Sequence, residues 1–324
     1  MSRIVRYMKR LLAAVFLLAV TLGVAAPDAA RKPVVIAPGV TVANVNVGRL
    51  TSEPARTRIE KAFGRPLPLH YGKKRWRISP RYLGTSAAVD DAVATALRSP
   101  PRARVPLKVA ATKTRIRRYV HRLDRLFSRD PISSAVVGVK GGRPVFSPAT
   151  PGRAVRRREM ANAIAYMLRT NQRLSIPLLT KPVPPAVTPE NYGPIVVIFR
   201  ESKRLTLFDG PQAVRSFGIA TGTAEYPTPL GNYSIATKQR DPWWIPPPNS
   251  DWAQGKEPIP PGPGNPLGTR WMGTTAPLVG IHGTPDAASI GYSASHGCIR
   301  MHVPDAEWLF NRVNVGTPVL IVPA

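Results

Sequence analysis

Gly280-Ile281-His282-Gly283-Thr284 and Ser295-His296-Gly297-Cys298-Ile299-Arg300 set the reading of this chain. They enclose its single cysteine, sixteen residues after His282. A thiol becomes a nucleophile near neutral pH when an imidazole takes its proton or when nearby positive charge stabilises the thiolate. His282 and His296 are candidates for the first task, and Arg300 brings fixed positive charge for the second. Gly297, directly before the cysteine, lets the main chain come close to a bound carbonyl, and the N–H groups of Gly297 and Cys298 are candidate oxyanion donors. Residue chemistry alone leaves two readings: a Cys–His acyl-transfer site, and a buried inert thiol serving as a small apolar group. A zinc site through His282, His296, His302 and Cys298 is disfavoured, because their spacing matches none of the usual ligand patterns.

Working outward, one Cys in 324 residues excludes an intrachain disulfide framework and any multi-cysteine metal cluster. A hydrophobic share of 43% is enough to build packed cores, and the length points to more than one domain. The formal charge of +28 is unevenly spread: residues 1–190 hold 36 Lys and Arg against 9 acids, residues 191–324 hold 10 against 9. The first part therefore calls for an anionic surface or polymer as neighbour. Nucleic acid is not expected, because no reading motif accompanies the 34 arginines. Arg3, Arg6, Lys9 and Arg10 precede an apolar run, Leu11–Ala26, so residues 1–30 read as a signal peptide or membrane anchor. Either places the rest outside the cytoplasm, with membrane contact only through that anchor if it is retained.

Residues 31–176 mix strand-like runs with amphipathic helices and form a basic α+β domain. Ser52–Phe63 opens with a Ser cap and Pro54, Thr114–Phe127 sets Ile116, Tyr119, Val120, Leu123 and Phe127 on one face, and Arg156–Arg169 turns Met160, Ile164 and Met167 inward. Gly141-Gly142 between two apolar runs is a hairpin signal. His70 and His121 read as surface or turn residues. Residues 177–194, with six prolines, read as an extended linker. From 195 to 324 short apolar runs alternate with Gly and Pro, and only Pro304–Asn311 is helical, which gives a mainly β barrel or sandwich. Between Asp241 and Gly268 lies a proline-rich stretch with Trp243, Trp244 and Trp252, expected to wall or cover a groove.

The two-part His-Gly and Ser-His-Gly-Cys signature resembles that of the L,D-transpeptidases of the YkuD family, as does Ser216–Pro229 (SFGIATGTAEYPTP) upstream. Residues from about 39 to 174, opening GVTVANVNVGRLTSEPA, are similar to the peptidoglycan-binding domain that precedes such catalytic domains. The resemblance implies a YkuD-like catalytic domain over 195–324, with Cys298 as nucleophile and His282 as its base. His296 lines the site, Gly297, Gly283 and Ser295 orient groups or the oxyanion, and Arg300, Trp243, Trp244, Tyr226 and Thr284 bind substrate. It implies 3→3 crosslinking of tetrapeptide stems in peptidoglycan, no cofactor, no metal, and acylation by carbapenems. Carboxypeptidase or protein-anchoring activity, or a non-catalytic wall-binding protein, are the alternatives, with anionic wall polymers as a further partner.

Overall fold

The computed structural model describes residues 33–324, so the expected signal or anchor at 1–30 lies outside the described residues. Two compact units interleave along the chain: one holds residues up to 65, 86–110 and 168–172, the other 66–85, 111–167 and 173–324.

In the first unit, helices Ser52–Gly64 and Val89–Leu97 bury Ala55, Ile59, Phe63, Ala92, Val93 and Ala96. They close with Ile36, Val40, Val42, Val47, Val105 and Leu107 into one core. The alternation over Val34–Val47 yields only two-residue strands, Thr41–Val42 and Val45–Asn46, around a turn at Ala43 and Asn44.

In the second unit, the antiparallel hairpin Leu67–Tyr71 and Lys74–Ile78 packs against helix Lys113–Phe127. That helix buries Ile116, Tyr119, Val120 and Leu123 as its period requires, and Phe127 stacks on Trp76 at 5.2 Å. In helix Arg157–Arg169 the inward residues are Met160, Ile164 and Leu168; Met167 is only half-buried, because the fourth residue onward stays nearest the stripe. Residues 177–194 are not a uniform extended linker: Thr180–Val183 lies antiparallel to Gly152–Val155, and Pro189–Asn191 forms a short 3-10 turn capped by Thr188.

The eight-stranded sheet carries the site. Its strands are β1 (Pro194–Phe199), β2 (Arg204–Asp209), β3 (Gln212–Gly218), β4 (Gly231–Arg240), β5 (Arg270–Thr274), β6 (Gly280–Thr284), β7 (Ile299–His302) and β8 (Pro318–Val322). The order β3-β2-β1-β8-β4-β5-β6-β7 curls into a near-closed barrel. Only β1/β8 and β6/β7 are parallel pairs. Alternation sorts the side chains: Val196, Ile198, Leu205, Phe217, Met272, Ile281, Ile299 and Met301 point inward, joined by Leu309 and Phe310 of the Val303–Phe310 helix. On the other face Ile195, Val197, Phe199, Phe208 and Leu320 need a cover. The Val136–Lys140/Arg143–Phe146 hairpin, turned by Gly141 and Gly142 at φ +57° and +73°, supplies Val136, Val139 and Phe146.

Truncating Ile198, fully buried in β1, to Ala should cost about 2–5 kcal/mol. Urea unfolding of Ile198→Ala measures it, and a loss under about 0.5 kcal/mol would mean that the barrel interior is not packed as described.

Candidate active site

The register of the parallel pair β6/β7 sets the site. Ile281 is opposite Ile299 and His282 opposite Arg300, so alternation turns Ile281, Ile299 and Met301 into the core and His282 and Arg300 to the opposite face. Cys298, one residue before β7, falls on that face too, abreast of Gly280. Strand β5 brings Trp271 opposite His282, their rings 5.8 Å apart at 30°. Gly280 is the condition for this arrangement: a Cβ there would sit 2.2 Å from the Trp271 indole. Trp271, His282, Cys298 and Arg300 together line a cleft of about 940 Å³.

His282 is almost wholly buried. Its Nδ1 lies 2.7 Å from the Gly283 carbonyl oxygen, which can only accept. The proton must therefore sit on Nδ1, and Nε2 keeps a bare lone pair. Burial pushes the imidazole down to about 4; the Gly283 bond opposes this and the Arg300 charge adds to it. Burial likewise pushes the Cys298 thiol up, against a backbone hydrogen bond at Gly280 and the Arg300 charge. The thiol donates to the Leu278 carbonyl at 3.5 Å. Near neutral pH both partners are uncharged, a thiol beside a neutral base rather than a preformed ion pair.

Cys298 rests on a hydrogen-bonded platform. Gly297 adopts φ +112°. Its N–H donates to Ser295 Oγ at 3.2 Å, its carbonyl accepts from Thr228 Oγ1 at 2.9 Å, and Ser295 Oγ donates to the Cys298 carbonyl at 2.6 Å. The Gly297 N–H, an expected oxyanion donor, is thus already engaged, because the tight turn aims it at Ser295. Thr228, fully buried, also accepts the Gly222 N–H at 2.9 Å.

Residues 241–268 form the wall. Trp244 and Ile259 pair across it, and the buried Asn265 donates to the carbonyls of Pro242, Ile259 and Pro260. Trp252 stacks on His296 with centroids 4.0 Å apart at 13°, and Tyr226 lies 5.0 Å from the same imidazole. Tyr226 Oη donates to Asp251, whose Oδ1 caps the Trp252 N–H. His296 is thereby held between two aromatic rings, and burial, Lys256 and Arg300 depress its pKa.

Of the residues expected from sequence, Cys298, His282, His296, Ser295, Arg300, Trp243 and Trp244 line the cleft, and Tyr226 and Gly283 hold lining residues. Thr284 does not reach it: its buried hydroxyl accepts the Asp286 N–H in the turn after β6. Asp286 faces Arg300 at 3.7 Å. Trp271, Leu278, Lys256, Thr228 and Asn265 were not singled out as site residues by sequence, although Thr228 lies within the Ser216–Pro229 stretch and Lys256 and Asn265 within the 241–268 wall. Among the described residues no three His, Cys, Asp or Glu side chains converge as a metal site needs.

The sequence profile of the L,D-transpeptidase catalytic domain YkuD matches residues 193–321. The YqjB protein of Bacillus subtilis strain 168 is 33% identical over 154 residues, 45% of this chain and 82% of that protein. The YkuD protein of Bacillus licheniformis is 30% identical over 141 residues, 44% and 73% of the two chains. The ErfK/SrfK protein of Escherichia coli K12 is 37% identical over 118 residues, 34% and 37% of the two chains.

Two outcomes test the platform and the buried base. Thr228→Val leaves the Gly222 N–H and the Gly297 carbonyl unpaired and should destabilise the protein by about 2–4 kcal/mol, while Thr228→Ser keeps both bonds. Equal stability of the two variants in thermal unfolding would remove Thr228 from the platform. Because the folded pKa of His282 lies below its unfolded value of about 6.5, the unfolded chain binds the extra proton first. The His282 contribution is therefore whole above about pH 6.5 and is lost as pH falls toward 4, roughly 3 kcal/mol in all. Urea titrations of the wild type and His282→Gln across that range should differ in slope; parallel curves would contradict the buried neutral imidazole.

Proposed function

The chain belongs to the YkuD family of L,D-transpeptidase catalytic domains, and from this we propose that it crosslinks peptidoglycan, forming 3→3 bonds between tetrapeptide stems through an acyl-enzyme on Cys298. Family membership carries cysteine-dependent acyl transfer on peptidoglycan in general. The observation that supports the finer reading is the shared face of His282, Cys298 and Arg300 at the floor of one cleft.

In the first step His282 Nε2 takes the thiol proton as sulfur attacks the carbonyl between the L- and D-centres of a donor stem. The Cys298 N–H is the donor best placed for the oxyanion, since the Gly297 N–H is held by Ser295. The imidazolium then protonates the departing D-alanine amine, and a thioester remains. In the second step the side-chain amine of a diamino acid on a neighbouring stem attacks the thioester and gives up a proton to His282. The thiolate leaves and recovers that proton. One amide is exchanged for another, so the sum needs no redox partner or cofactor.

A neutral thiol–imidazole pair suits this sequence of steps, because the proton moves only as the bond to sulfur forms. Arg300 faces the cleft as a partner for a stem carboxylate, and Trp243 and Trp244 offer flat apolar surface to the peptide. His296 orients the wall through Trp252 rather than taking the proton. The basic residues of 31–176 hold the enzyme near wall polymer outside the cytoplasm.

Incubation with disaccharide-tetrapeptide, read by mass spectrometry, should give 3→3 dimers with the wild type and none with Cys298→Ala. Tripeptide alone would identify a carboxypeptidase, and dimers from Cys298→Ala would end the assignment. The acid limb of kcat/KM should have its midpoint near 4 rather than at the ordinary imidazole value of about 6.5. A limb at 6–7 would show that another group is the base.

A further inference from the structure

A second cavity, about 430 Å³, lies away from the cleft against Pro68, Leu69, Arg75, Trp76, Arg77 and Ser175. It sits on the three-stranded sheet formed by Leu67–Tyr71, Lys74–Ile78 and Ile176–Pro177. Register puts Pro68 opposite Arg77 and His70 opposite Arg75, so these four share one face, while Leu69 and Trp76 pair on the face that meets helix Lys113–Phe127. Arg75 and Arg77 are exposed, and among the described residues no carboxylate lies within ion-pair distance of either. The nearest polar order is the 2.9 Å contact of His70 Nδ1 with Ser175 Oγ. Lys73, exposed at the hairpin turn, adds positive charge at the end of the strip, whereas Lys74 turns to the other face, its Nζ 5.9 Å from the Phe127 ring.

We propose that this sheet face is a binding site for a linear polyol-phosphodiester polymer. Guanidinium groups present forked donors that match phosphate oxygens, and two of them in line along one strand suit a chain of repeated phosphodiesters better than a single anion. Two residues along a strand separate Arg75 from Arg77 by about 6.6–6.8 Å, the scale of neighbouring phosphodiesters joined through a short polyol. Nucleic acid is the poorer match because the aromatic rings nearest the strip, Trp76 and Tyr71, are already engaged. Trp76 donates its indole N–H to Tyr119 Oη at 2.8 Å and lies on Phe127, and Tyr71 is covered by Phe127 and Arg153. The strip is separate from the cysteine cleft in residues and in chemistry, so it concerns where the enzyme holds on, not what it cuts.

The test measures binding of the full chain to synthetic poly(glycerol phosphate) at one fixed ionic strength, since such affinities vary steeply with salt. Arg75→Glu/Arg77→Glu should weaken binding by about tenfold or more, and the milder Arg75→Gln/Arg77→Gln should weaken it in the same direction. Arg117→Glu/Arg118→Glu, an equal change of net charge on the exposed face of helix Lys113–Phe127, should weaken it less than about threefold. All variants should keep wild-type turnover of soluble tetrapeptide, which shows that they fold. Equal losses from the 75/77 and 117/118 pairs would reduce the effect to bulk charge and overturn the proposal. Tighter binding of a single-stranded oligonucleotide of matched phosphate number, or no binding of the polyol phosphate, would overturn it as well.

Discussion

The parallel pairing of β6 with β7 is the constraint on which the site depends. Parallel ladders keep residues in step, so the pairing of Ile281 with Ile299 commits His282, Cys298 and Arg300 to one side and the apolar partners to the other. A slip of one residue would carry the cysteine into the core and bring Ile299 to the cleft. The buried cluster of Ile281, Ile299 and Met301 therefore acts on the site indirectly: the free energy of keeping those side chains dry is what holds His282, Cys298 and Arg300 in register.

The same burial decides the charge state. Removing an imidazole from water favours its neutral form, and removing a thiol from water favours the protonated one, so the two shifts move in opposite directions and meet in an uncharged pair. Arg300 acts differently on each. Its charge opposes protonation of His282 and supports the thiolate of Cys298, so it lowers the imidazole's basicity while easing ionisation of the thiol. Asp286 at 3.7 Å tempers that charge without approaching the imidazole closely enough to form a bond.

Much of this was legible in the sequence where a residue's role is local. The Gly141-Gly142 turn and the amphipathic stripe from Ile116 to Leu123 depend on neighbours within a few positions, and the Cys–His spacing on a sixteen-residue interval. Trp271 was not legible, because its place follows from Gly280 on the next strand, and nothing in either residue alone announces the other. Thr228 was equally hidden: its partner Gly297 is 69 residues away. Thr284 misled for the opposite reason, since adjacency to His282 and Gly283 suggested substrate contact, whereas the turn to Asp286 takes its hydroxyl. The prolines at 177–194 mark turns and extended backbone without distinguishing them, and a pattern of prolines cannot tell a solvated spacer from a paired strand at Thr180–Val183 or a 3-10 turn at Pro189–Asn191.

Gly297 stands at φ +112°, with its amide held from one side by Ser295 and its carbonyl from the other by Thr228. An L side chain there would strain the backbone, and a change that removes the hydroxyl of either holder would leave a buried polar group unmet. The floor beneath the sulfur is thus close to untunable by single substitutions. The 241–268 wall is held differently: one buried amide, Asn265, pins three carbonyls, while Trp243, Ile245 and Lys256 line the cleft outside those bonds. Floor and wall are in this way held by separate sets of bonds, so that side chains on the wall can change without disturbing the backbone beneath the sulfur.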